Sequence, residues 1–176
     1  VLAAVRGQAQ FNGLDINSVQ PDRIIIDILR NCGTVIEYKE DYFSVEKKQL
    51  HGFEFDAADN PDLVPALIPL ALKCNGKSLI KNVDRLKYKE SNRLEELVRT
   101  YSDLGAKIEY SDNKIVLFQS NLKSGKVKSM NDHRLIMSYK TAEIMFDIKI
   151  EIDGLEAVNK SYPNFFVDIK KVQIYE

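Results

Sequence analysis

Lys89-Glu90-Ser91-Asn92-Arg93-Leu94-Glu95-Glu96-Leu97-Val98-Arg99-Thr100-Tyr101-Ser102-Asp103-Leu104-Gly105 is the stretch on which the fold turns. Leu94, Leu97, Val98 and Tyr101 recur at helical spacing and put one apolar stripe on a helix. A polar string stands at its start, and Gly105 stands where a helix commonly ends in a left-handed residue. The same grammar appears on either side. Ser18-Val19-Gln20-Pro21-Asp22-Arg23 precedes a helix carrying Ile25, Ile28, Leu29 and Cys32 that stops at Gly33. Lys160-Ser161-Tyr162-Pro163 precedes another with Phe165, Ile169 and Val172. Ser18, Lys89 and Lys160 are evenly spaced, since 89 − 18 and 160 − 89 both give 71. A period of this length marks a repeated supersecondary unit.

The segments between these helices follow the same period. Each glycine stop leads into a strand pair: 34–38 with 42–46, then 107–110 with 114–118. A second helix follows. One copy starts at Asn60-Pro61-Asp62, with Asn60 read as the N-cap and Pro61 at the first helical position. Its counterpart starts at Asn131-Asp132-His133, and 133 − 62 is again 71. Strands at 8–11, 77–80 and 148–152 come next in each unit. The apolar density of Leu63 to Leu72 predicts a helix buried on most sides, with some kinking at Pro65 and Pro69. Ala3-Ala4 matches Ala71 and Ala142 in context, so the first residues read as the end of such a helix. With no initial Met, the sequence is expected to begin at a cut inside a longer protein. The units run roughly 1–50, 51–125 and 126–176, in one lobe with no internal linker. The expected fold is α/β (α+β), with three βαβ-type units about a pseudo-threefold axis, helices inside and sheets outside. An open solenoid is the competing arrangement.

Composition narrows the function classes. Lys and Arg number 25 against 26 Asp and Glu, a net charge of −1 that gives no global attraction to nucleic acid, so any anion site must be local. No apolar run reaches the length of a membrane span, and no secretory leader is visible, so the expected location is cytoplasmic. Cys32 and Cys74 lie in apolar helical stretches and read as two reduced core thiols. His51 and His133 fit no zinc spacing, so no metal is expected.

Three units related by rotation point equivalent helix starts at the same end of the lobe. Each start offers unpaired N–H groups and about half a positive charge, which suits an anion. The side chains placed there are Asp62, Lys89, Glu90, Arg93, Asp132, His133, Arg134 and Lys160. Each has a bland reading. Lys89 to Arg93 could be a solvated first turn, Asp132-His133-Arg134 a capping cluster, Asp62 a residue favouring the helix dipole, and Lys160 a surface lysine. The shared phase of the repeat is what joins them. Lys47, Lys48, Lys123, Lys126 and Lys128 scatter over turns and strand edges, where solvation accounts for them.

Asn60-Pro61-Asp62-Leu63-Val64-Pro65, Lys89-Glu90-Ser91-Asn92-Arg93, Asn131-Asp132-His133-Arg134 and Lys160-Ser161-Tyr162-Pro163-Asn164-Phe165, in this order, resemble the 5-enolpyruvylshikimate-3-phosphate synthase (3-phosphoshikimate 1-carboxyvinyltransferase) family. The flanking Gly-Leu, Gln-Pro-Asp and Leu-Gly-Ala segments extend the likeness over nearly the whole chain. Each motif alone is weak, whereas the ordered set is highly specific. The resemblance is to the C-terminal lobe of a two-lobed enzyme, an inside-out barrel of the enolpyruvyl transferase type that closes with its N-terminal lobe over the substrates. The reaction it implies transfers the enolpyruvyl group of phosphoenolpyruvate to the 5-hydroxyl of shikimate 3-phosphate and releases phosphate. A tetrahedral intermediate is implied, with no cofactor, metal or covalent enzyme adduct.

By motif position, Asp62 would hold the 5-hydroxyl and act as base. Lys89 would contact that hydroxyl and shuttle protons. Glu90 would serve proton transfer at the methylene, with His133 nearby. Arg93, Arg134 and Lys160 would grip phosphoenolpyruvate, where arginine's planar fork suits carboxylate and phosphate. The resemblance further implies a monomer when complete, and a lobe inactive by itself because half the substrate ligands lie on the other.

Two positions depart from the family pattern. Asn92 stands where the family usually has aspartate, and is read as an orienter or cap rather than a catalyst. Arg85 stands where many members have a smaller polar group and is not counted as a substrate ligand. The related transferase acting on UDP-N-acetylglucosamine lacks the combined Lys-Glu-Ser and Asp-His-Arg motifs. A non-catalytic lobe that keeps the fold is the alternative from a different class, and Asp62, Lys89, Glu90 and His133 together argue against it.

Overall fold

The computed structural model describes residues 1–15, 17–39 and 42–171. Val172, expected on the third outer helix, lies outside the described residues. Among the described residues, six α-helices and nine strands follow the order α1 (Leu2–Arg6), β1 (Gln8–Asn12), α2 (Ile25–Asn31), β2 (Val35–Tyr38), β3 (Tyr42–Glu46), β4 (Glu54–Asp56), α3 (Val64–Lys73), β5 (Lys77–Lys81), α4 (Arg93–Asp103), β6 (Lys107–Ser111), β7 (Lys114–Phe118), β8 (Gly125–Val127), α5 (His133–Phe146), β9 (Ile150–Ile152) and α6 (Phe165–Lys171). Short 3-10 turns at Pro21–Ile24, Pro61–Leu63, Asp84–Tyr88 and Leu155–Lys160 lead toward α2, α3, α4 and α6.

Three sheets form. One has the order β1-β3-β2 and is antiparallel throughout. The second has the order β4-β5-β7-β6, with β4 parallel to β5 and the remaining pairs antiparallel. The third is the parallel pair β8-β9. Strands β4 and β8, absent from the sequence reading, complete β4-α3-β5 and β8-α5-β9 as crossover units. They too stand 71 residues apart, as 125 − 54 shows. Along β5 and β7, Ser78, Ile80, Ile115 and Leu117 are buried while Lys77 and Phe118 face solvent, so one sheet face meets the core.

The inner helices are α1, α3 and α5, which pack on one another. On α3, Val64, Leu67, Ile68, Leu70, Ala71 and Leu72 are fully buried, each large side chain contributing about 1.5–3 kcal/mol of transfer free energy. The carbonyl that Pro69 leaves without its usual partner has a local remedy. Pro69 brings no N–H to the carbonyl of Pro65, one turn earlier. Ser138 Oγ of α5 donates to that carbonyl. The Tyr101 hydroxyl of α4 in turn hydrogen-bonds Ser138 Oγ at 2.8 Å. With these partners α3 runs unbroken from Val64 to Lys73.

The outer helices end as expected. Gly33 and Gly105 take φ of +99° and +97°, and the following amides, Thr34 N and Ala106 N, return to Leu29 O and Tyr101 O. Cys32 and Cys74 are free and buried. No described helix is long and apolar enough to cross a membrane. One capping assignment fails. Asn60 makes no side-chain cap, its φ and ψ of −128° and 54° put it off the usual cap geometry, and its Oδ1 is buried without a partner among the described residues.

Candidate active site

Three helix starts meet at one end of the inner helices. Asp62 sits in the 3-10 turn that feeds α3. Residues 89–92 run from the 3-10 turn Asp84–Tyr88 into α4, where Asn92 caps the helix by accepting from Glu95 N at 3.3 Å. Its amide also donates to Glu95 Oε2 at 2.8 Å, a reciprocal cap that an aspartate could not make. Before α5, Met130 and Asn131 adopt left-handed φ of 52° and 56°. Asp132 then returns to extended backbone and caps the helix by accepting from Arg134 N at 3.0 Å.

Arg93 is the buried centre of the cluster, its side chain 3% exposed. Its Nε donates to Asp132 Oδ2 at 2.7 Å and its Nη2 to Asp132 Oδ1 at 3.1 Å, the paired geometry of a guanidinium on a carboxylate. Its Nη1 donates to Asp62 Oδ1 at 2.9 Å. The sequence reading groups Arg93 with Arg134 and Lys160 as anion ligands. In the structure its fork is engaged by two carboxylates. Ser91 Oγ adds a further bond to Asp132 Oδ2 at 3.0 Å.

Asp62 gathers Lys89 and Arg134 as well. Lys89 Nζ lies 3.1 Å from Oδ1. Arg134 Nη2 lies 3.4 Å from Oδ2, while Arg134 Nη1 donates to the Asp62 carbonyl at 3.0 Å. Burial pushes the Asp62 carboxyl upward, but the Lys89 hydrogen bond and the charges of Arg134, Lys89 and Arg93 outweigh it and hold it below the ordinary value. Asp132 behaves likewise. Burial raises it, and the Arg93 bonds and charge, Ser91 and the Arg134 amide bring it lower. Across the cluster, His133 Nδ1 and Glu90 Oε2 are 2.9 Å apart. Lys160 stands exposed at the rim, where its Nζ donates to Asn131 O at 3.1 Å.

Glu90, Asp132 and His133 place ligand-type atoms within 4.8 Å of one another. Asp132 is already saturated by a guanidinium, a hydroxyl and an amide, so this donor set does not suit a cation. Chemically, the arrangement offers a carboxylate beside an ammonium, a second carboxylate beside an imidazole, and one arginine and one lysine toward solvent. Asp132 and Ser91 are the members whose contribution the sequence reading does not assign. An aspartate just before a helical pattern signals a cap, but nothing in the spacing signals its hold on Arg93.

The EPSP synthase (3-phosphoshikimate 1-carboxyvinyltransferase) family model matches residues 1–169. The chain belongs to that family. The 3-phosphoshikimate 1-carboxyvinyltransferase of Clostridium acetobutylicum is 38% identical over 169 residues, covering 96% of this chain and 39% of that protein. That of Clostridium novyi is 41% identical, covering 90% and 37%. This EPSP synthase family chain therefore spans about two-fifths of the length of the curated relatives it matches. Among solved structures, EPSP synthase from Acinetobacter baumannii superposes with a TM-score of 0.78 at 22% identity, covering 97% of this chain and 43% of that one. The enolpyruvyl transferase NikO from Streptomyces tendae gives a TM-score of 0.73 at 17% identity, covering 97% and 40%. These likenesses establish the α/β fold of the EPSP synthase type.

Proposed function

We propose that this lobe supplies the acid–base groups and part of the anion-holding groups for transfer of the enolpyruvyl group of phosphoenolpyruvate to the 5-hydroxyl of shikimate 3-phosphate. The observation that carries this reading is the convergence of Lys89, Arg93 and Arg134 on Asp62, with Glu90 against His133 beside it. The name of the relatives supports the same reaction. In the addition step the 5-hydroxyl oxygen bonds to the enol carbon while the hydroxyl proton leaves to Asp62, with Lys89 as shuttle. Glu90, oriented by His133, delivers a proton to the methylene carbon. In the elimination step that carbon returns a proton, the bond to the phosphate oxygen breaks, and phosphate departs. Arg134 and Lys160 hold the anion at the solvent side. Arg93 belongs to the same anion pole, set behind Asp62. General acid–base assistance of this kind contributes about 10²–10⁴-fold.

The same reading takes residues 1–176 as one lobe of units 1–50, 51–125 and 126–176. It takes the complete protein as a cytoplasmic monomer and the lobe alone as inactive. The test is phosphate release by the complete protein with both substrates. Lys89→Met is expected to lower kcat by at least about 100-fold with little change in substrate affinity. Arg134→Ala should act chiefly by raising KM for phosphoenolpyruvate. Near-normal turnover in Lys89→Met, or phosphate release by the 176-residue chain alone, would overturn it.

A further inference from the structure

We propose that Asp132 is a positioning residue that sets the register between the groups at the start of α4 and those at the start of α5. The inference rests on the reaction proposed above for its kinetic consequence, though not for its geometry. Asp132 is fully buried, and its two oxygens accept four hydrogen bonds. Three come from the start of α4, through Ser91 Oγ and Arg93 Nε and Nη2. The fourth comes from the first turn of α5, through Arg134 N. One carboxylate thus ties together two helix starts about 40 residues apart in the chain.

The groups that would act on substrate sit one to three residues from these anchors. Glu90 is next to Ser91, and His133 and Arg134 directly follow Asp132. The 2.9 Å contact between Glu90 and His133 crosses the same seam. Arg93 is oriented by two bonds to Asp132, which aims its third at Asp62. Asn at position 132 keeps the size and the cap but loses the charge, and its amide can accept at only one atom. The seam would then be free to shift, and a misplacement of about 1 Å among reacting groups can cost about 100-fold in rate. Ser91→Ala removes one of the four bonds and leaves the ion pair.

The experiment has two arms. In the complete protein, Asp132→Asn is expected to lower kcat/KM by about 100-fold. Ser91→Ala should lower it by about three- to tenfold. In an Arg93→Ala background, Asp132→Asn should cost less than about tenfold, because two of the four bonds to Asp132 are then already gone. Independent, multiplicative effects would show a residue important only for folding and would overturn the proposal. In the second arm, the 176-residue chain carries 15N-labelled histidine. The His133 Nδ1 resonance should move away from its carboxylate-bonded position in folded Asp132→Asn, and by less in Ser91→Ala. Where Asp132→Asn does not fold, Ser91→Ala decides the matter. An unmoved His133 signal in either folded variant overturns the register role. A moved signal in the chain, together with no phosphate release by the unaltered complete protein, keeps the role and sinks the reaction.

Discussion

The starts of α2 and α4 occupy the same phase of the repeat and could hardly differ more. At α2 the chain enters through Pro21–Ile24, none of whose residues is buried and which has no side-chain cap. Val19 is 96% exposed. Asp22 stands at the phase of Arg93 and forms no ion pair among the described residues. At α4 the same phase is capped by Asn92, Arg93 and Leu94 are buried, and Arg93 is bound to two carboxylates from neighbouring helix starts. The helix dipole is common to the two. A helix start becomes a site when a second element brings a complementary group to it, and here the partner is Asp132.

The largest expected effect breaks this contrast at its centre. Arg93→Ala leaves Asp132 charged, buried and unpaired, a change that typically costs about 3–5 kcal/mol. Asp22→Ala, at the same phase, should stay within about 0.5 kcal/mol. Urea denaturation of the chain measures both, and similar costs would mean that the buried cluster contributes no more than an exposed turn.

Acid sharpens the comparison next. The folded carboxyls of Asp62 and Asp132 lie below the ordinary 3.8. Their contribution is therefore complete above that value and lost as pH falls through the depressed folded values. Asp62→Asn removes one share, so its stability should decline less steeply than that of the unaltered chain below about pH 4. An equal or steeper decline would show that the Lys89, Arg93 and Arg134 contacts do not favour the charged form.

The smallest effect concerns the caps. Asn92→Ala deletes the bond to Glu95 N and should cost about 1 kcal/mol. Gln20→Ala opens the corresponding turn of α2, where no side-chain cap exists, and should change stability by no more than a few tenths of a kcal/mol. Equal losses at the two positions would make the Asn92 cap incidental.

Helices, glycine stops and hairpins were legible because each writes a local signal, such as the stripe Leu94, Leu97, Val98, Tyr101 or the left-handed Gly105. Strands β4 and β8 were not. Glu54-Phe55-Asp56 and Gly125-Lys126-Val127 are three residues each, too short for alternation to stand out, and only the 71-residue offset could have exposed them. The repeat also located the candidate site, since phase fixes where a backbone position lies. It could not say where a long side chain goes. Arg93 shares its end of the lobe with Arg134 and Lys160, yet it turns inward to carboxylates that sequence spacing cannot rank as partners. Asn60 failed as a cap for a related reason. Its residue type permits capping, but the backbone of the 3-10 turn does not present its oxygen to the helix.

The contacts of Arg93 with Asp132, of Glu90 with His133 and of Arg134 with Asp62 join residues 39, 43 and 72 apart. On the proposed units 51–125 and 126–176, each pair spans two copies, so none of the three forms within one copy. On the proposed units, chemistry that uses these contacts needs two copies packed against each other, while Lys89 and Arg93 reach Asp62 within one copy. Equal phase in the repeat therefore does not mean equal duty, as Asp22 against Arg93 and Pro61 against Asp132 show.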